Sequence, residues 1–471
     1  MKRSLCLFLA FFLLLGCSQA IIRPQGQGSA SEHPAQTPVP TGTPLTAAPT
    51  EAPTPAPAPV SALPTFPPLS REVRFAEQAL SFDAEPFASQ LFGLLQAPGD
   101  SKEAFYGRFR ALIEDLGETE QELDRLSASS GRTVSSDRAA QTIESLRALS
   151  SAENLDALAD AYAALPGDGE PLPAAAFSAA VDALCRKVES LPPREETFYA
   201  LGAAADYRKA FCGYLGEDVL PKDLLLGMET LAQTEAYALQ DALNADPEAA
   251  RKKEPLTFGS LDRDLSFLRR VTETDLPLPS TEELPPLALR PGYEKMELPK
   301  LAFYTYPGMG YLKAFASLCP EAQQARWADA PAGYLAGLSL HGSYSILAYL
   351  GDFGADYVLY RWYEELLNAT LTGISALLIH YYGYSRSDLA DYLSAWGAAS
   401  FADYLFDQAM FDPFDSLVAV YGYYAYLDIC QVALDAGCES EARFLADYLA
   451  AGPAPYGPLK EYMVGLYENA G

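Results

Sequence analysis

Positive charge is scarce in this sequence. Lys and Arg number 33 against 62 Asp and Glu, for a net −29 at pH 7. Against that background no basic patch can offset the repulsion, which makes nucleic acid and anionic lipid poor partners. Histidine is scarcer still, with His33, His341 and His380 the only three copies. No His-x-x-x-His pair can be built from them, so no short histidine pair pre-orients a metal on a helix. Beyond the N-terminal segment five cysteines occur: Cys185, Cys212, Cys319, Cys430 and Cys438. None stands in Cys-x-x-Cys spacing, and an odd count argues against a fully paired disulfide framework. They read as small apolar core residues, with a Cys430–Cys438 bridge left open. A Gly-rich phosphate loop and a Gly-x-Ser-x-Gly elbow are both missing, which removes the footholds of two large enzyme groups. Period-two alternation is not sustained anywhere, so a large sheet is not expected. After the first residues no stretch reads as long and apolar enough to span a bilayer, which takes about 20 residues.

What the N-terminus does have is specific. Lys2 and Arg3 precede an apolar run from Leu5 to Leu15, and Leu14-Leu15-Gly16-Cys17 follows. A positive start, a short apolar run and a small residue before cysteine resemble the lipobox of bacterial lipoprotein signal peptides. The resemblance implies cleavage after residue 16 and a diacylglyceryl, acylated Cys17 as the first mature residue. The expected location is the extracytoplasmic face of the cell membrane, with the lipid as the anchor. Residues 17–70 then read as a disordered tether. Between Ile21 and Ser70 lie 13 prolines among Ala, Thr, Ser and Gly, with Arg23, Glu32 and Glu51 the only charges. Such a segment cannot bury enough apolar surface to order itself, and its prolines favour an extended chain. Fully extended it would reach on the order of 150 Å. His33 falls here and reads as solvated and inert.

The remaining 400 or so residues read as mainly α, a large multi-helix fold with little or no sheet. Phe105, Phe109, Leu112, Ile113 and Leu116 recur at helical spacing, as do Phe177, Val181, Leu184, Cys185 and Val188. Pro192-Pro193 ends the second stripe, and another helix is expected from about Glu195, burying Phe198, Leu201 and Phe211. Six prolines between Asp275 and Lys300 mark a connection. The expected organisation is therefore an N-terminal helical half, 71–274, a Pro-rich connection, 275–300, and a C-terminal half, 301–471.

The C-terminal half carries three strings: Tyr306-Pro307-Gly308, Ile379-His380-Tyr381-Tyr382-Gly383-Tyr384-Ser385, and Ala450-Ala451-Gly452-Pro453-Ala454-Pro455-Tyr456. In order and spacing they resemble the bacterial family called domain of unknown function 885, many of whose members are surface lipoproteins. The resemblance covers about 170 residues and implies a helical, metallopeptidase-like scaffold. That family carries His-Glu-Gly-x-Pro-Gly-His, an acidic residue ahead of Gly-Trp-Ala, Ile-His-Tyr-x-Gly-Trp-Ser, and a late Phe-His. Laid on this sequence, the first His falls on Phe303, the Glu on Tyr304 and the second His on Met309. The acidic residue falls on His341, with Gly342 kept and the Trp replaced by Ser343. The Asp four residues before His380 becomes Ala376, and the late His falls on Leu445.

A catalytic zinc needs about three nitrogen, oxygen or thiolate donors and a nearby general base. Phe303 offers no donor, Met309 a poor one, and Tyr304 cannot replace a carboxylate base near neutral pH. The resemblance thus implies a scaffold without its catalysis: no catalytic residue, no metal and no cofactor is expected. Phe303, Tyr304, Met309, His341 and His380 stand as candidates for a vestigial site or pocket. The leading expectation is a surface binding or scaffolding module, with a peptide or glycan as candidate ligand. The alternative is a peptidase-like hydrolase whose metal site has moved to His341 and His380. The many C-terminal aromatics, Tyr360, Trp362, Tyr421, Tyr423, Tyr424 and Tyr426 among them, read first as core. Some would instead line the old cleft.

Overall fold

The computed structural model describes residues 63–64, 84–96, 98–130, 136–191, 196–275, 293–328 and 330–468. The signal sequence, Cys17 and nearly all of the expected tether lie outside the described residues. Among those described there are eighteen α-helices, a few 3₁₀ turns and no strand, so the mainly α expectation holds.

The buried side chains separate into two cores. Helices α1 (Glu85–Gln96), α2 (Lys102–Ser130), α3 (Ser136–Leu149), α4 (Ala152–Ala163) and α5 (Ala174–Ser190) build the first. The stripe read from the sequence is its centre: Phe105, Phe109, Leu112 and Leu116 of α2 are fully enclosed, as are Phe177, Val181 and Leu184 of α5. The Phe109 and Phe177 rings meet at 5.2 Å. Burying each such side chain contributes about 1.5–3 kcal/mol. Ser151 caps α4 by accepting from the backbone N–H of Asn154.

Leu63 aside, the second core runs from Phe198 to Met463. It therefore takes in α6 (Ala204–Leu215), α7 (Pro221–Ala245) and α8 (Leu261–Asp275), three helices the sequence had placed in the N-terminal half. The cores part between residues 191 and 198, and the Pro-rich stretch joins elements of one core. Prolines interrupt helices by removing an N–H and fixing φ, which says nothing about which neighbours those helices then find. The turn at 197–202 precedes α6, and Leu201 is 40% exposed, so the helix expected from Glu195 starts later, at Ala204.

Helices α9 (Leu298–Tyr304), α10 (Met309–Leu318), α11 (Glu321–Ala328), α12 (Ala332–Ser345), α13 (Ala355–His380), α14 (Arg386–Ser394), α15 (Ala402–Phe411), α16 (Asp415–Asp435), α17 (Glu441–Ala451) and α18 (Tyr456–Glu468) complete it. α16 is the hub. It is the one described helix long and apolar enough to cross a membrane, where none is expected from the sequence after the N-terminus, and half of its apolar stretch is buried inside the fold. It packs between α12 and α13, which supplies the apolar surroundings that its composition demands. At the α12 crossing Gly337 faces Gly422, and a methyl on Gly337 would lie 2.2 Å from the Gly422 carbonyl carbon. Only glycine allows backbones this close. α7 runs beside α13 and closes the other side.

One part of the expected tether belongs to this core. Leu63 is buried in it, and Arg326 of α11 donates to the carbonyls of Leu63 and Pro64. The proline-rich reading had carried the disordered segment through residue 70. Its composition is uniform, so the point where one leucine finds a hydrophobic seat could not be read from it.

Candidate functional site

The chain enters the expected site through α9. Glu297 precedes that helix, and its carboxylate accepts two bonds from one Arg361 nitrogen, Nη2, at 3.0 and 3.1 Å. This charge-assisted clamp from α13 fixes the start of α9. Phe303 and Tyr304 lie in its last turn, both half-buried, with their rings edge to face at 5.0 Å. The chain then passes the cis Tyr306–Pro307 bond, and the Gly308 N–H returns to the Ala302 carbonyl. Met309, half-buried, opens α10.

α12 lies against this turn. A methyl on Gly342 would stand 3.0 Å from Pro307 Cγ, and the Ser343 hydroxyl donates to the Pro299 carbonyl at 2.8 Å. Residues 303–309 and 341–343 are thus brought together. His341 stacks obliquely on Tyr426 of α16, ring centres 4.5 Å apart, and Tyr426 in turn packs on Phe444, the neighbour of Leu445. Nδ1 of His341 is enclosed without a protein partner. Burial pushes its pKa down to about 4, so the ring is neutral at physiological pH.

His380 is elsewhere. It ends α13, fully buried, where Nδ1 accepts from the Phe198 N–H at 3.2 Å and Nε2 lies 3.0 Å from the Ala409 carbonyl. That pair of partners requires the Nε2–H tautomer. Phe198 and Tyr207 flank the ring at 4.9 and 5.3 Å. Both nitrogens are committed, and their work is to tie the turn before α6 to α13 and α15. Trp362, which meets Tyr344 near the His341 side, is separated from His380 by about 27 Å of helix at 1.5 Å per residue. The metal site postulated around His341 and His380 therefore has no geometric basis. Among the described residues no group of three or more His, Cys, Asp or Glu side chains is placed to hold a metal ion. The five described cysteines are free thiols, Cys430 and Cys438 included.

The residue that sequence reasoning missed is Glu235. It is 1% exposed on α7, with Oε1 accepting from Thr370 of α13 at 2.9 Å and from Tyr424 of α16 at 2.7 Å. No protein group donates to Oε2. Burial raises its pKa to about 7, with the two hydroxyl donors working against the rise. Its charge reaches Tyr363 and Tyr423, and burial is the main reason that Tyr363 is pushed up to about 12. The pattern that could have revealed it is in the sequence. Leu224, Met228, Ala232, Leu239 and Ala242 form the buried stripe of α7, and Glu235 falls on that stripe. A carboxylate enclosed on an apolar helical face, with its pKa raised by burial, is a candidate functional group.

Trp362 of α13 links Tyr423, which the Glu235 charge reaches, to Tyr344 at the end of α12. The Trp362 ring lies 5.8 Å from Tyr344 and 6.3 Å from Tyr423, both centre to centre. A polar, aromatic-walled centre thus lies between α7, α12, α13 and α16. Its groups can accept hydrogen bonds, present π faces and hold a proton on a carboxyl. They supply neither a nucleophile with its base nor a ligand set for a metal.

No protein-family model and no curated protein matches this sequence. Solved structures do. A protein from Colwellia psychrerythraea described as a lipoprotein aligns with a TM-score of 0.55 at 14% identity, over 77% of this chain and 76% of its own. A second, from Shewanella oneidensis and described as a lipoprotein of unknown function, aligns with a TM-score of 0.43 at 12% identity over 76% and 79%. The first likeness shows that the helical fold is shared.

Proposed function

We propose that this chain is an extracytoplasmic lipoprotein, tethered to the cell membrane through an acylated Cys17, whose helical region is a non-catalytic binding or scaffolding module. The lipobox-like Leu-Leu-Gly-Cys and the tether after it support the anchor, and sharing a fold with a Colwellia protein described as a lipoprotein is consistent with it. The reading of the helical region as a relative of the domain of unknown function 885 family, without its zinc chemistry, rests on the aligned motifs. The observation that carries it is the contact between residues 303–309 and 341–343. Segments that would jointly hold a metal in that family adjoin here, yet their side chains are phenyl, phenol, thioether and one neutral imidazole. Such a surface grips rather than cleaves.

Metal analysis and peptide-cleavage assays on the full chain test this. Less than stoichiometric zinc, and no cleavage that a chelator abolishes, are the expected results; a tightly held divalent ion with chelator-sensitive activity would overturn the reading. For the anchor, labelling with an alkyne fatty acid is expected to mark the wild-type chain and to fail on Cys17→Ala. Labelling of the variant would refute it.

A further inference from the structure

Glu235 is a buried acid with no basic partner. Among the described residues, Thr370 of α13 and Tyr424 of α16 donate to its carboxyl, and its charge is felt by Tyr363, Tyr423 and Tyr424; none of these is a Lys, Arg or His. Thr370 and Tyr424 both donate to Oε1, which leaves Oε2 as an unused acceptor. Trp362 stands edge-on to Tyr423, and its own N–H is buried without a protein acceptor. Tyr363 and Tyr424 are half-buried, so the aromatic shell around the acid reaches toward the surface.

A carboxylate enclosed without a counter-charge is costly, and a ligand that supplies one gains what the protein lacks. Aromatic faces attract cations electrostatically, most strongly where water is excluded. A chain of net −29 also concentrates cations at its surface. Both hydroxyls that reach the acid already donate to Oε1, so Oε2 is left to a donor brought by the ligand.

We propose that the Glu235 shell binds an organic ammonium group, a primary amine on an apolar stem, with Oε2 accepting its N–H and the rings of Trp362, Tyr363 and Tyr423 around the stem. This rests on the binding-module reading and deepens it by naming the chemistry of the ligand. A free diamine and a lysine side chain of a peptide share that chemistry.

The test is calorimetric titration of the full chain, in detergent, with cadaverine, with a lysine-containing peptide, and with pentanediol as the neutral match. One amine is expected to bind per chain, with pentanediol weaker by about tenfold or more. Because burial holds the Glu235 carboxyl near pH 7, cation binding at pH 6 is expected to release a proton, seen as heats that vary with buffer ionisation. Glu235→Gln is expected to abolish both the preference and the proton release. Should that variant not fold, Trp362→Leu is expected to weaken the amine more than the diol. Binding of the peptide without cadaverine still supports the proposal and assigns the ammonium to a peptide. Equal affinities for amine and diol, no amine binding at millimolar concentration, or a Glu235→Gln chain that still prefers amines would overturn it. If amines fail but a neutral glycan or lysine-free peptide binds, the ammonium assignment falls alone and the binding module stands.

Discussion

The two cores of this chain are built from the same element and differ in what they enclose. In the first, residues 84–188, Thr142 is the one buried polar side chain among those described. In the second, Glu235, Asp264, Thr305, Ser339, Ser343, Thr370, Ser375 and His380 are all enclosed. Several of those hydroxyls simply bond back to a carbonyl one helical turn earlier, as Ser375 does to Leu371 and Thr305 to Leu301, which satisfies them locally. Glu235 and His341 are not satisfied in that way. Stability alone favours the first arrangement, because an unpaired buried polar atom costs about 1–3 kcal/mol. The second core tolerates that cost at Glu235, between Thr370 of α13 and Tyr424 of α16, and at His341 beside Tyr426.

The sharpest way to break the comparison is to damage one core and watch the other. Phe109→Ala removes a fully buried ring at the Phe109–Phe177 contact and is expected to cost about 3–5 kcal/mol. Scanning calorimetry should show two transitions, with the variant lowering only that of residues 84–191. A single transition that shifts as a whole would mean that the cores are energetically one.

Next in size is the pH dependence that only the second core should have. The Glu235 carboxyl loses its proton near its ordinary 4.5 in the unfolded chain and near 7 in the folded one, chiefly through burial. Its contribution is therefore whole below pH 4.5 and is lost as the pH rises through 7, on the order of 3 kcal/mol. Tyr363, Tyr423, Tyr424 and Thr370 face it and carry no charge in that range. Glu235→Gln is expected to flatten the fall in stability of the second transition between pH 5 and pH 8, and to leave the first unchanged. His341 has the opposite sign. Its pKa is depressed to about 4 by burial, so its contribution is present above 6.5 and is lost as the pH falls through 4. His341→Leu should remove that acid-side loss from the second transition, measured by denaturant titration between pH 7 and pH 4.

How much of this the sequence disclosed follows the range of the forces involved. The first core was legible: the α2 and α5 stripes, Phe105 to Leu116 and Phe177 to Val188, are local periodicities that burial enforces helix by helix. Which helices share a core was not, because the partners of α6 to α8 are fixed by contacts such as Met228 with Gly373 and Thr370 with Glu235, more than a hundred residues apart. The site was half legible. Residues 303–309 and 341–343 do adjoin, whereas His380 resembles a site histidine in sequence and spends both ring nitrogens on backbone. Glu235 stood on an apolar stripe in plain view, but in a chain with 62 acids one more drew no notice.

The smallest effect is the most symmetrical. Ser151 caps α4 in the first core, and Ser385 caps α14 in the second, where the Asp388 carboxylate returns to the Ser385 N–H at 2.9 Å to complete a capping box. Capping satisfies orphan N–H groups at a helix start whatever the core beneath it encloses. Ser151→Ala and Ser385→Ala are therefore expected to cost about 1 kcal/mol each, each confined to its own transition. Both costs should be insensitive to pH between 5 and 8, since Asp388 is held below the ordinary carboxylate range by its bonds to Ser385 and stays charged throughout. If the Ser385 cost instead grew with pH as the Glu235 contribution faded, the polar centre would be coupled to the ends of its helices. The second core would then differ from the first in cooperativity as well as in content.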